Sequence, residues 1–293
     1  MKPARFTYYA PRELDEALGL LSEHGDEAKV LAGGQSLMPM LNFRLAHIDH
    51  LVDINRLGTQ WAEPTFGAET ITIPALVRQR QVERSAEAAT LLPVLTEALH
   101  QVAHPQIRNR GTICGSLAHA DPAAELPSVL TVLDAKFTLA SVRGVRTVAA
   151  ADFFLFHLTT ALEPDELLLE VSVERPGAGQ FSAFREFATR RGDFALAGVA
   201  AVCEVDTAGV VTACRIAAAG VAPTPQRLTD TEQLVVGQHL GPDLGAAAEA
   251  AARAQVDPTG DIHASAAYRA RLTGVLVKRA LADIQRKREA AHA

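Results

Sequence analysis

Two separate stretches of this sequence combine glycines, hydroxyls and small residues in a way that suits anion binding by the backbone. The first runs from Ala32 to Leu37 and the second from Arg110 to Pro122. Consecutive backbone N–H groups in a glycine-rich turn form a concave nest for anions. Glycine also lets the backbone approach a ligand closely. Two such segments, far apart in sequence, would converge on one long phosphate-bearing ligand.

The two segments carry different weight. Taken alone, Ala32–Ser36 is more often an ordinary turn than a ligand site. The second segment places Thr112–Ser116 beside Arg108 and Arg110, with Glu125 downstream. Hydroxyls and N–H groups suit a pyrophosphate, and a carboxylate suits a ribose diol; the alternative is a surface turn with capping Ser and Asp side chains. Together the segments favour a dinucleotide, and FAD fits that description.

Missing motifs exclude several other sites. Neither segment contains G-x-G-x-x-G or G-x-x-x-x-G-K-[ST], so neither a Rossmann nicotinamide site nor a nucleotide-hydrolysing P-loop is predicted. The cysteines Cys114, Cys203 and Cys214 lack C-x-x-C spacing, which disfavours an iron–sulfur or zinc site within the chain. His100 and His104 have helical metal-ligand spacing but no third ligand, so no metal site is predicted.

Composition indicates an ordinary globular protein that does not bind nucleic acid. The 293 residues are 48% hydrophobic and carry a net charge of −6, whereas nucleic-acid proteins show a basic surplus. No run of about 18 apolar residues is present, so no membrane span is expected. The sparse cysteines fit a reducing cytoplasm.

The elements that must position the two segments alternate between helix and strand, which predicts an α+β chain of three units. Residues 1–57 form the first unit, with helices at 11–24 and 37–45 and strands at 29–32 and 51–54. Residues 58–175 form the second, with helices at 85–103 and 123–133, a strand at 70–73, a hairpin at 137–142 and 145–148, and a strand at 167–173. Residues 176–293 form the third, with strands at 181–189, 198–205 and 210–221 and helices at 243–255 and 265–288.

With these segments in place, the chain resembles a known family over essentially its whole length. Ala32–Leu37 together with Ile107–Ser116 looks like the FAD-binding medium subunit of molybdenum hydroxylases, the carbon monoxide dehydrogenase and xanthine dehydrogenase flavoprotein family. Gly192–Ala195 and Asp261–Arg269 extend the resemblance. It implies a two-part FAD-binding domain of the vanillyl-alcohol-oxidase (PCMH) type. A smaller α+β C-terminal domain would follow, with a three-stranded antiparallel sheet and helices.

The resemblance also implies a set of cofactor-binding residues. Lys29–Ser36 would wrap the pyrophosphate with backbone N–H groups, and Thr112–Ser116 would grip it from the other side. The full set is Lys29, Val30, Leu31, Ala32, Gly33, Gly34, Gln35, Ser36, Val102, Thr112, Ile113, Cys114, Gly115, Ser116, Glu125, Leu168, Arg185 and Phe194.

Five of these residues are expected along the rest of the cofactor. Val102 would lie near the adenine end, and Glu125 would contact the ribose or ribityl hydroxyls. Leu168 and Arg185 would lie near the flavin ring, and Phe194 would abut the isoalloxazine.

Two residues depart from the family pattern. Cys114 stands where relatives usually have glycine, and Phe194 stands where they often have tyrosine. We expect ordinary backbone at Cys114, with the thiol facing the cofactor or the core. Phe194 removes a hydroxyl that could donate a hydrogen bond. Neither change should abolish FAD binding.

The implied function is electron transfer within a heteromeric oxidoreductase, a dimer of heterotrimers. A large molybdopterin subunit would oxidise the substrate and a small subunit would hold the iron–sulfur clusters. This chain would hold FAD and serve an external electron acceptor. Two alternatives remain: a stand-alone flavin oxidase or reductase, and a non-catalytic interaction protein that has kept the fold.

Overall fold

The computed structural model describes residues 2–292 and contains three main β-sheets, each in a different part of the chain. The predicted boundaries at 57/58 and 175/176 both fall between sheets, and the three-unit division stays a prediction.

A small parallel sheet holds the first glycine segment. Its strands are β1 (Thr7–Tyr9), β2 (Ala28–Leu31) and β3 (His50–Asp53), accompanied by the helices α1 (Leu14–His24) and α2 (Leu37–Asn42) and by 3₁₀ turns at Gly25–Glu27, Ile54–Arg56 and Thr59–Trp61. The strand order is β1-β3-β2, and both pairings are parallel. Leu18 and Leu21 bury the apolar face of α1, and Gly25 ends it with φ +50°. The first segment therefore leaves the carboxyl end of β2 and enters α2.

A five-stranded antiparallel sheet and seven short helices form the middle of the chain. The strands are β4 (Thr65–Phe66), β5 (Thr70–Pro74), β6 (Lys136–Ser141), β7 (Gly144–Ala149), β8 (Phe154–Phe156), β9 (Thr159–Thr160) and β10 (Leu167–Glu174). The helices are α3 (Gln79–Arg84), α4 (Ala86–Leu91), α5 (Pro93–Leu99), α6 (Pro105–Arg108), α7 (Ile113–His119), α8 (Glu125–Val132) and α9 (Ala150–Phe153). The sheet order is β4-β5-β10-β6-β7, while β8 and β9 form a separate ribbon.

A four-stranded antiparallel sheet and three helices complete the chain. They are β11 (Gln180–Ala188), β12 (Ala195–Val205), β13 (Val211–Ala219), β14 (Gln226–Arg227), α10 (Thr229–Val235), α11 (Pro242–Gln255) and α12 (Ala266–Ala291). The strands are arranged in the order β11-β12-β13-β14, the same as their order in the sequence. Three of the strands were predicted; the fourth, β14, has two residues.

The C-terminal sheet is covered on both faces, which explains why β12 is almost uniformly apolar. Ala200 and Val202 pack into the core that contains α5 and α8. Ala201 and Cys203 pack into the core that contains α11 and α12. The sheet is thereby packed against α5 and α8, the helices that precede and follow the second glycine segment in the chain.

Two predictions about helices are wrong. The helix predicted at 85–103 is divided at Leu92, whose φ and ψ are −128° and 58°, and Pro93 starts a new helix. Proline lacks an N–H and clashes with the preceding turn, so it starts helices more readily than it continues them. The second glycine segment, predicted as a loop, is in large part the helix α7.

Candidate functional site

The first glycine segment is a turn whose backbone amides point to no acceptor in the protein. Gly34 has φ +70°, a conformation that favours glycine. Within residues 2–292, no acceptor takes a hydrogen bond from the N–H groups of Gly33, Gly34, Gln35 or Ser36. The Gln35 amide group donates to the Gly33 carbonyl at 3.1 Å and braces the turn. Four successive free donors form an anion nest of the predicted kind.

The second segment has a different backbone. Thr112 is the N-cap of α7, and its hydroxyl accepts a hydrogen bond from the Gly115 N–H at 3.0 Å. Two backbone hydrogen bonds join the segment to the stretch that leads from β5 into α3: Gln79 N donates to Gly111 O at 2.8 Å, and Ile113 N donates to Val77 O at 3.2 Å. The Gly115 N–H is therefore already used, and Thr112 acts first as a helix cap.

The two segments meet at their glycines. A Cβ on Gly33 would lie 2.5 Å from the Arg110 carbonyl oxygen and 2.7 Å from the Gly111 Cα. No side chain fits between two backbones at that separation. The two segments therefore lie against each other, and their convergence on one ligand stays a prediction.

Arg78 and Asn55 hold the segments together, and the sequence reasoning missed both. Arg78 donates to the Arg110 carbonyl at 2.6 Å and to the Asn55 side-chain oxygen at 2.5 Å. Asn55 in turn donates to the Ala32 carbonyl at 2.8 Å. The two side chains thus join the end of β2 to the start of the second segment. Neither residue belongs to a motif, so only their contacts could reveal the role.

The meeting segments line a cleft of about 630 Å³, within the size range of cofactor sites. Fifteen of the predicted residues line it: Lys29, Val30, Ala32, Gly33, Gly34, Gln35, Ser36, Val102, Thr112, Cys114, Gly115, Ser116, Glu125, Leu168 and Phe194.

Three predicted residues do not line the cleft. Ile113 is completely buried in the central core. Leu31 packs in the small cluster around Leu41, and its Cδ1 lies 2.9 Å from where a Cβ on Gly34 would be. The Arg185 side chain forms an ion pair with Asp283 of α12. This pair lies on the face of the C-terminal sheet opposite to the central core. Alternation along a strand explains this orientation, since the neighbouring Phe184 faces the central core.

Val102 and Phe194 lie towards the same end of the cleft. A Cβ on Gly192 would be 2.8 Å from the carbonyl oxygen of Ala103, the residue after Val102. Gly192 belongs to the turn that carries Phe194, and the Phe194 side chain is 70% exposed. The turns that carry Val102 and Phe194 are therefore in contact, and the predicted cofactor contacts of both residues stay predictions.

Charges are distributed unevenly around the cleft. Among the lining residues within 2–292, Lys29 is the single Lys or Arg, whereas six are acidic: Asp26, Asp121, Glu125, Glu163, Glu166 and Asp193. Burial raises the pKa of Glu125 to about 7. Carboxyl groups suit hydroxyls, whereas backbone N–H groups and Lys29 suit a phosphate.

The structure settles the question about Cys114. The residue lies in the first turn of α7, with ordinary helical backbone. Its Sγ lies 3.5 Å from the Ile73 carbonyl, and the side chain is buried in the core. Burial raises the pKa of this thiol. The expectation of unstrained backbone is confirmed, and of the two expected directions the thiol takes the core.

Comparison with known proteins decides the family. The FAD-binding domain found in molybdopterin dehydrogenases matches residues 4–176, and the carbon monoxide dehydrogenase flavoprotein C-terminal domain matches residues 182–284. This chain belongs to the FAD-binding medium subunits of molybdenum hydroxylases. The expected fold, a two-part FAD-binding domain followed by a smaller C-terminal domain, is confirmed with it.

Individual relatives of this medium subunit are similar over nearly their full length. The 6-hydroxypseudooxynicotine dehydrogenase complex subunit alpha of Paenarthrobacter nicotinovorans is 42% identical, with 96% of this chain and 95% of the relative covered. The carbon monoxide dehydrogenase medium chain of Hydrogenophaga pseudoflava is 37% identical, with 96% and 97% covered. The solved carbon monoxide dehydrogenase of that organism, lacking the Mo-pyranopterin moiety, has a TM-score of 0.93 at 38% identity, with 97% of this chain and 99% of the other covered.

The cleft of this medium subunit fits its cofactor, FAD. Free amides at Gly33–Ser36 suit a pyrophosphate, and the lining acids suit ribose and ribityl hydroxyls. The buried Gln79 Oε1, also on the cleft wall, has no hydrogen-bond partner within residues 2–292 and offers one more acceptor. Every helix within residues 2–292 is too short or too polar to span a lipid bilayer.

Proposed function

We propose that this medium subunit transfers electrons within a heteromeric molybdenum hydroxylase. When bound, FAD supplies the two-electron carrier between the iron–sulfur clusters of a partner subunit and an external acceptor. The free amides at Gly33–Ser36, set against the second segment across one cleft, carry this proposal.

Different residues of the chain are assigned to different parts of FAD. Gly33–Ser36 bind the pyrophosphate through N–H groups, with Lys29 nearby, and the start of α7 closes the other side. Glu125 accepts a hydrogen bond from a ribose or ribityl hydroxyl. Leu168, Val102 and Phe194 are assigned to the flavin ring, because the turns that carry Val102 and Phe194 are in contact.

The proposed assembly contains a large molybdopterin subunit and a small iron–sulfur subunit, arranged as a dimer of heterotrimers in the cytoplasm. Relatives named as a complex subunit and as a medium chain support a multi-subunit protein. Those two names refer to different substrates, 6-hydroxypseudooxynicotine and carbon monoxide, at similar identity to this chain. Substrate choice is therefore assigned to the large subunit.

The test compares the purified complex with the isolated chain loaded with FAD, both under anaerobic conditions. Substrate should bleach the flavin absorption in the complex and leave the isolated chain oxidised, although dithionite reduces both. A complex that contains Gly33→Ala should still reduce its iron–sulfur clusters but should pass few electrons to an acceptor. Reduction of the isolated chain by an organic substrate would favour a stand-alone oxidase. A chain without FAD affinity would favour the interaction protein.

A further inference from the structure

We propose that Arg108, held by Glu83, is a positioning residue that sets the wall of the FAD cleft around Val102 and Phe194. The inference rests on the proposed placement of the flavin at that end. It concerns residues outside the cleft, since neither Arg108 nor Glu83 lines it.

The two side chains form a buried, bidentate ion pair. Arg108 donates from Nε to one Glu83 carboxylate oxygen at 2.8 Å and from a terminal nitrogen to the other at 3.0 Å. Both residues are almost fully buried, at 5% and 8% exposure. Arg80 adds a second cation at 2.8 Å from Glu83. Burial acts to raise the pKa of Glu83, but the hydrogen bonds from Arg108 and Arg80 outweigh it and hold the pKa below its ordinary value.

The other terminal nitrogen of the Arg108 guanidinium donates hydrogen bonds to the backbone of the Val102–His104 turn. It donates to the Val102 carbonyl at 2.5 Å and to the Ala103 carbonyl at 3.2 Å. Ala103 has φ +38°, a left-handed conformation that is unfavourable for a residue with a Cβ. Such conformations persist where surrounding contacts over-determine them. Arg108 supplies those contacts, and Glu83 fixes the arginine.

The Val102–His104 turn contacts the segment that carries Phe194. A Cβ on Gly192 would lie 2.8 Å from the Ala103 carbonyl oxygen and 2.9 Å from the His104 ring. Gly192 itself has φ +87°. Val102, Ala103 and Gly192 all line the cleft together with Phe194. Movement of the Val102–His104 turn would therefore change the flavin end of the cleft on two sides at once.

The C-terminal domain offers a matched control. Arg227 and Glu232 form another bidentate pair, with distances of 2.7 Å and 2.9 Å, and Glu232 is 7% exposed. Glu232 also accepts from the Ile216 N–H at 2.8 Å. Neither residue lines the cleft. The Arg227 side chain is 31% exposed, against 6% for Arg108. Loss of this pair removes the same type of bidentate ion pair without touching the Val102–His104 turn.

The experiment compares Arg108→Met with Arg227→Met in the full chain. For each variant we would measure the FAD dissociation constant, the visible circular dichroism of the bound flavin, its midpoint potential and the urea unfolding of the apoprotein. Both variants should unfold at lower urea concentrations. Arg108→Met alone should weaken FAD binding by roughly tenfold or more, as for one lost charged hydrogen bond, and should alter the dichroism and the potential.

Two conservative variants separate positioning from folding. Glu83→Gln keeps one of the two acceptors for Arg108 and removes the charge, and it should give a smaller change of the same kind. Arg108→Lys keeps the charge but not the planar fork, so it should recover stability more than the flavin signature. Equal effects of Arg108→Met and Arg227→Met on FAD affinity, dichroism and potential would overturn the inference. A wild-type chain that binds no FAD would overturn the proposed function as well.

Discussion

The two walls of the cleft are built from similar residues and differ in backbone structure. The Gly33–Ser36 wall is an open turn with free amides and one left-handed glycine. The Thr112–Ser116 wall is the capped start of a helix with ordinary backbone. Gly34 is needed for its φ of +70°, whereas a Cβ on Gly115 would lie 2.6 Å from the capping Thr112 hydroxyl oxygen. Glycine is thus required for two different reasons in these motifs: for a positive φ at Gly34 and for a close contact at Gly115.

The walls also differ in charge. Lys29 precedes the open turn, and Glu125 begins the helix that follows α7. The first wall is therefore suited to phosphate and the second to hydroxyl groups. Substitutions in each wall should separate these two contributions.

The largest effect is expected for Gly33→Ala. The new Cβ would collide with the Arg110 carbonyl and the Gly111 Cα, so the walls must move apart and FAD affinity should fall by about a hundredfold or more, equivalent to roughly 3 kcal/mol. Titration of the apoprotein with FAD, followed by flavin fluorescence, measures it. Gly19→Ala is the control, because that helical glycine has open space around it and alanine there should slightly stabilise the protein. Unchanged FAD affinity in Gly33→Ala would show that the walls do not meet at the ligand.

An intermediate effect is expected for Glu125→Gln, with a clear pH dependence. Because the folded pKa is raised from 4.5 to about 7, the folded state binds more protons than the unfolded state between these values. The free energy of unfolding of the apoprotein should therefore fall as pH rises from about 5 to 7, by at most about 3 kcal/mol. Glu186, whose pKa burial raises to about 8, acts in the same direction.

Urea titrations at pH 5, 6, 7 and 8 test this expectation. Glu125→Gln should flatten the pH dependence, be more stable than wild type at pH 8, and bind FAD less tightly because an amide accepts more weakly than a carboxylate. An identical pH dependence in wild type and variant would contradict the assigned pKa and the burial that causes it.

A smaller effect is expected for Thr112→Ala. Loss of the N-cap should cost about 1 kcal/mol in the free energy of unfolding and should weaken FAD binding a few-fold through fraying of α7. Thr112→Ser keeps the capping oxygen and should restore both properties. Thermal unfolding with and without FAD measures them. If serine fails to restore FAD binding, the threonine methyl group matters more than the cap.

The smallest effect on FAD is expected for Cys114→Gly. The residue has helical backbone and a buried thiol, so glycine should lower stability by about 1 kcal/mol or more through lost packing and helix propensity. FAD affinity should stay close to wild type. A more stable variant would show that this position requires the freedom of glycine after all.

The sequence predicted the order of the elements well where local rules decide them. The helix predicted at 11–24 ends at His24 before Gly25, the helix predicted from 265 begins after the Ser265 cap, and the predicted hairpin is formed by β6 and β7. Family resemblance identified most of the cleft. It could not orient side chains: Arg185 and Ile113 lie in motifs, yet strand alternation and helical packing direct them elsewhere.

Other parts of the site depend on long-range contacts that carry no local signal. Arg78 reaches across 32 residues of sequence to Arg110, and Arg108 across 25 to Glu83. Arginine and glutamate are common on helix surfaces, so nothing in the sequence distinguishes the buried ones. Pro93, in contrast, does indicate a helix start in the sequence, and the prediction of one long helix at 85–103 did not take it into account.

The most direct test of the account is a titration of the apoprotein with FAD and, separately, with FMN. If the Gly33–Ser36 amides hold a pyrophosphate between the two walls, FAD should bind at least about a hundredfold more tightly than FMN, and Gly33→Ala should remove most of that difference. Equal affinities for FAD and FMN in the wild-type chain would contradict it.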